Sequence, residues 1–111
     1  MKTTREFCPA DRYAYDFGIC SSGKGFAQVD TGQDAWYFGT WANPEKLAIV
    51  SYCEGDVTLL QAEDPEEFAA ELRAMKKWTD ESGCGFKGID PMCVPEIEAR
   101  FRALGLGDLL H

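Results

Sequence analysis

The sequence has a single histidine, His111, and its five cysteines, Cys8, Cys20, Cys53, Cys84 and Cys93, are odd in number with no Cys-x-x-Cys pair. Without imidazoles or closely spaced thiols a zinc site lacks its ligand set, and an odd count argues against a disulfide framework. The cysteines are therefore expected as buried or incidental thiols in a reducing compartment, where free cysteine behaves as a small hydrophobe. The shortage of histidine also removes the usual general base for a serine or cysteine nucleophile. No apolar run approaches the roughly 18 residues that a membrane-spanning helix needs, and the opening MKTTREFCPADRY has no leader-like hydrophobic stretch, so a cytoplasmic protein is expected. Phosphate loops are missing too. Lys24 sits between Gly23 and Gly25 in what reads as a hairpin, and Gly105-Leu106-Gly107 follows a helix instead of preceding one. No metal or cofactor is expected.

Basic residues are also scarce. Eleven Lys and Arg against 19 Asp and Glu leave a net charge of −8. Nucleic-acid binding is driven by cations that displace counterions from phosphates, so direct DNA or RNA binding is not expected, and an anionic membrane surface is disfavoured for the same reason.

What is present reads as one domain over residues 1–111, with ordinary globular proportions of 45% hydrophobic and 27% charged residues. Period-two alternation places Tyr13, Tyr15, Phe17 and Ile19 on one side of a strand, and the segment 21–25 turns into a second strand beginning at Phe26. Further strand-like runs occupy 36–41, 47–53 and 57–62. The run 47–53 is apolar on both faces and belongs near the middle of a sheet. At Asp64 the period changes: Asp64-Pro65-Glu66-Glu67 combines an N-cap, a proline for the first helical position and a capping-box glutamate. A helix is predicted over 65–82, with Phe68, Leu72, Met75 and Thr79 as its apolar stripe, Trp78 beside them, and Arg73, Lys76 and Lys77 complementing the dipole near its end. Residues 86–89 fit a short strand or an extended connection equally well. Pro95 opens a second, shorter helix to about residue 104, and the apolar tail 106–110 should dock. The expected fold class is α+β: an antiparallel meander of four to five strands, spanning about residues 12–62, packed against one long helix, with a second short C-terminal helix.

Two stretches stand out as candidate partner-binding surfaces. In the first, Trp36, Tyr37, Phe38 and Trp41 crowd one strand. Alternation sends Trp36 and Phe38 to one face and Tyr37 and Trp41 to the other, so either the second helix and tail cover the second face or an aromatic patch stays open for a partner. The plainer reading is a core wall, since such residues favour strands in any case. The second stretch runs between Lys46 and Arg73, where no basic residue occurs while Glu54, Asp56, Glu63, Asp64, Glu66, Glu67 and Glu71 do. Carboxylates so placed could imitate a run of phosphates and steer the chain towards a basic partner. Their plainer role is to stabilise a helix N-terminus. Catalysis by loop acids such as Asp30, Asp34, Glu54 and Asp56 has no spacing to recommend it.

The segment QVDTGQDAWYFGTWANPEKLAIVSYCEGDVT, the later FKGIDP and the ending ALGLGDLLH resemble a group of small, uncharacterised bacterial proteins often carried on plasmids, integrated elements and phages. The resemblance implies a bacterial cytoplasmic setting and residence on mobile DNA. In that setting a small acidic protein looks like an inhibitor or modifier of a host nucleic-acid-handling system. It assigns no activity and no site residues.

The reading that results is a non-enzymatic protein-binding module with a protein partner of unknown identity. The alternative is a small-ligand protein or enzyme with a pocket between sheet and helix lined by Tyr13, Tyr15, Trp36 and Trp78. A third reading makes the aromatic edge a homodimer contact.

Overall fold

The computed structural model describes residues 2–7, 25–32, 38–53, 56–91 and 93–111, with the backbone alone for 2–7, 38, 52, 53, 56 and 57. Six strands, β1 (Lys2–Phe7), β2 (Ala27–Asp30), β3 (Phe38–Asn43), β4 (Ala48–Cys53), β5 (Asp56–Gln61) and β6 (Gly88–Asp90), pair in the order β1-β5-β4-β3-β2-β6. Every neighbouring pair is antiparallel. The centre is the expected meander, β2 through β5, and β4 lies inside it as its two-sided apolar pattern requires: Ala48, Ile49 and Val50 are all buried. The β3–β4 turn is fixed by Asn43, whose side-chain Oδ1 accepts hydrogen bonds from the backbone of Glu45 and Lys46, each at 2.9 Å. This is the short-range aspartate/asparagine turn that lets a hairpin reverse tightly.

Two strands lie beyond that meander. β1 was not anticipated, and it lies outside the 12–62 span assigned to the sheet; it pairs with β5 across its full length. β6 resolves the ambiguity over residues 86–89 in favour of a strand, because its three residues pair with β2. The strand expected over 12–20 falls outside the described residues.

Helix α1 (Pro65–Glu81) begins as its sequence dictates. Asp64 accepts from the Glu67 N–H at 2.8 Å, while the Glu67 carboxylate reaches back to the Glu63 N–H at 3.3 Å, one residue before the usual capping-box partner. It ends in a Schellman motif: Gly83 takes φ +84, its N–H bonds Asp80 O, and the Cys84 N–H bonds Thr79 O. The last turn holds no basic residue, contrary to expectation. Arg73 and Lys76 lie earlier and are engaged elsewhere. Helix α2 (Pro95–Ala103) closes the same way at Gly105, which brings Leu106 onto Phe101, both fully buried.

Register divides the sheet into two rows. Ala27, Ala42, Ile49 and Leu60 are cross-strand partners on one face; Gln28, Trp41, Val50 and Leu59 form the corresponding row on the other. The first row, with Val29 and Ile89, meets Phe68 and Leu72 of α1, Ile97 and Phe101 of α2, and Leu106 and Leu109 of the tail in one cluster. Both helices and the tail thus lie on the same face, so α2 and the tail do not shield the row containing Trp41. The tail docks as expected. Leu110 bridges Ile89 in parallel and the His111 N–H bonds Ile89 O at 2.8 Å, extending the sheet past β6.

Candidate functional site

Of the aromatic candidates, Trp36 and Tyr37 lie outside the described residues, and Phe38 is described only as the first residue of β3. Trp41 is half-buried on the face away from the helices, beside the fully buried Val50, and it is not free of partners. Of the acidic candidates, Glu54 lies outside the described residues and Asp56 is a backbone position at the start of β5.

The remaining four, Glu63, Glu66, Glu67 and Glu71, come together at the start of α1. Glu63 and Glu66 are exposed; Glu67 and Glu71 are half-buried. Glu63 precedes the N-cap, and a rise of about 1.5 Å per residue sets Glu66 and Glu71 roughly 7.5 Å apart along the helix. Glu67 is committed to the cap. The carboxylates of Glu63, Glu66 and Glu71 form no ion pair among the described residues.

The two flanks of α1 differ in this respect. On one, Arg73 grips Asp108 of the tail with two hydrogen bonds, at 2.9 and 3.0 Å, and donates a third to Gly105 O at 3.0 Å. One turn on, Lys76 reaches Asp80 at 2.7 Å and lies 5.9 Å from the Phe86 ring centre, while the Phe86 N–H donates to Asp80 at 2.9 Å. The basic residues of this flank are therefore occupied within the chain. Along the other flank run Glu67, Glu71, Ala74 and Trp78, at the i, i+4, i+7, i+11 spacing of one helical stripe.

Trp78 is 64% exposed, the one large hydrophobic side chain exposed among the described residues. Its place beside the apolar stripe does not carry it into the interior. It cannot line a pocket between sheet and helix, and the other residues assigned there, Tyr13, Tyr15 and Trp36, fall outside the described residues. The helical wheel carries the signal: at 100° per residue Trp78 lies roughly 100° from the mean direction of Phe68, Leu72 and Thr79.

The hydrogen bond from Arg73 holds the Asp108 carboxyl below the usual carboxylate range, and Lys76 does the same for Asp80. A carboxyl lowered in the folded state contributes stability above its unfolded pKa and loses it as pH falls through the lowered folded value. Both pairs are exposed, so the effect is local. In native-state hydrogen exchange, the His111 amide should lose protection as the solution is acidified below the ordinary carboxylate range. Asp108→Asn should show the same loss near neutrality. Unchanged protection in both cases would mean that Arg73 does not hold the tail.

A cleft of about 410 Å³ separates the β3–β4 turn, with Pro44 and Glu45, from the first turns of α2, with Val94, Glu96, Ile97 and Arg100. Its volume suits a small ligand. Its three charged residues are all exposed, and two of the three are acidic. Among the described residues no group of three or more His, Cys, Asp or Glu is placed to hold a metal ion, and no helix is long and apolar enough to cross a membrane. Comparison with protein-family models, with curated proteins and with solved structures found no match.

Proposed function

We propose that the protein is a non-enzymatic binding module that presents the acidic start of α1 to a basic protein partner. The observation that supports this reading is a set of carboxylates with no ion pair among the described residues, Glu63 just before the helix cap and Glu66 and Glu71 in the first turns of a capped helix, whose Arg73 and Lys76 are engaged elsewhere. A net charge of −8 adds a long-range field that raises the encounter rate with a positive surface. The helix fixes the backbone positions from which Glu66 and Glu71 project, so the partner meets charges at a set spacing. The chemistry best matched to such a pattern is a surface built to hold phosphates. We extend the proposal accordingly to a nucleic-acid-handling protein of a bacterial host, in keeping with the resemblance to proteins carried on mobile DNA.

The test is affinity capture from host lysate with the wild-type chain and with a Glu63→Gln/Glu66→Gln/Glu71→Gln variant, at low and at high salt. The wild type should retain a basic protein that salt releases and that the variant fails to retain. Equal capture by both baits, insensitive to salt, would rule the acidic surface out.

The alternative, a small-ligand protein, has the cleft beside α2 in its favour. It ranks second because the charged residues there, Glu45, Glu96 and Arg100, are all exposed.

A further inference from the structure

The cleft beside α2 has two walls that the fold holds in place. On one side the buried Asn43 fixes the β3–β4 turn by accepting from the N–H groups of Glu45 and Lys46, and Pro44 is buried next to it. On the other, Ile97 anchors α2 in the core cluster and Val94 packs against that cluster. Pro44, Val94 and Ile97 thus give the space of about 410 Å³ a preformed apolar lining, while Glu45, Glu96 and Arg100 supply its charge. Those charges are not neutralised within the described chain. Helix α2 carries two Glu-to-Arg pairs at i, i+4 spacing: Glu98 and Arg102 approach to 3.8 Å, whereas Glu96 and Arg100, which line the cleft, form no ion pair among the described residues, and neither does Glu45. The complement of two carboxylates and one guanidinium around an apolar lining is a molecule with an aliphatic body, two cationic groups and one carboxylate. Lysine and arginine have that make-up at neutral pH.

We infer that this cleft binds a free basic α-amino acid, with the ligand carboxylate at Arg100, its cationic groups at Glu45 and Glu96, and its aliphatic stem on Pro44, Val94 and Ile97. The stem lies along apolar surface while the charged ends stay in contact with water, as long cationic side chains do on protein surfaces. All three charged residues are exposed, so each contact is screened and the complex is weak, with a Kd on the order of millimolar. The inference goes beyond the protein-binding reading and does not depend on it.

Titrations followed by two-dimensional amide NMR test it, using L-arginine, agmatine, which lacks the carboxylate, and L-citrulline, in which a neutral urea replaces the guanidinium. The proteins are the wild type, Arg100→Gln and Glu45→Gln/Glu96→Gln, with circular dichroism to check that each surface variant is folded. A net charge of −8 attracts any cation, and by charge alone agmatine would bind more tightly than arginine. The cleft predicts the reverse order: the wild type should prefer arginine over both agmatine and citrulline by about two- to fivefold, the size expected of one exposed ion pair. In Arg100→Gln the order of arginine and agmatine should invert, and in Glu45→Gln/Glu96→Gln arginine and citrulline should bind alike. The amides that shift should be those of Glu45, Val94, Glu96 and Ile97. A wild type that binds none of the three at tens of millimolar or prefers agmatine, variants that keep the wild-type preferences, or shifts confined to the start of α1 would each overturn the proposal.

Discussion

Replacing Phe68 by alanine should lower the unfolding free energy by about 3–5 kcal/mol, the range for a fully buried phenylalanine that leaves a cavity. Phe68 has no exposed surface, and its ring stacks on that of Phe101, centroid to centroid 6.4 Å with 26° between planes. This contact joins α1 to α2, so losing it removes transfer energy and separates the two elements that cover the sheet. Total stability for a domain of this size is typically about 5–15 kcal/mol, so the variant should sit near the edge of folding at physiological temperature. Phe101→Ala should be similar. In a double-mutant cycle the two losses should fall short of additive by about 0.5–1.5 kcal/mol, the extra contribution of an aromatic pair. Denaturant unfolding followed by circular dichroism reads all three. Full additivity would mean that the rings pack independently.

Gly32→Ala should cost about 2–5 kcal/mol, combining the strain of a left-handed backbone with overpacking. Gly32 follows β2 at φ +80, and a Cβ there would overlap the carbonyl oxygen of Cys84 and lie 2.8 Å from that of Gly85. Those carbonyls belong to the chain leaving α1, where Lys87 N–H also bonds Asp30 O at 2.9 Å. Neither side can give way without pulling β6 from β2 or tilting the end of the helix. Gly83→Ala is the control, because Gly83 has nearly the same φ, +84, with nothing within 4 Å of an added Cβ. It should cost about 1–2 kcal/mol, the backbone strain alone. Equal losses at the two positions would show that the close approach to Cys84 contributes nothing.

The parts of this fold legible in the sequence are those whose signals are local. Asp64-Pro65 and Gly83 bracket α1 because capping chemistry is written in adjacent residues, and Pro95 does the same for α2. The meander was legible from its apolar runs. β1 was not, because KTTREF has no alternating apolar face; it lies beside β5 through a pairing some fifty residues away in sequence, and charged residues are common on strands near a sheet edge. β6 is only three residues long, too short to show a period, and only its register with β2 identifies it. The acidic set at the start of α1 was legible in composition. What composition could not supply was which charges the fold would neutralise: Arg73 finds its partner at Asp108, 35 residues on, in a tail that read only as apolar. Trp78 was grouped with the buried stripe by proximity in sequence, although its angle on the helix puts it on the open flank.

The central claim is that recognition runs through the carboxylates at the start of α1. It is tested most directly by titrating the captured partner, purified, against the wild type and the Glu63→Gln/Glu66→Gln/Glu71→Gln variant as ionic strength is raised. The account predicts tight wild-type binding at low salt that weakens steeply, as screening of exposed charges demands, and a weaker variant whose affinity hardly changes with salt. Identical affinities and identical salt dependence for the two proteins would contradict it.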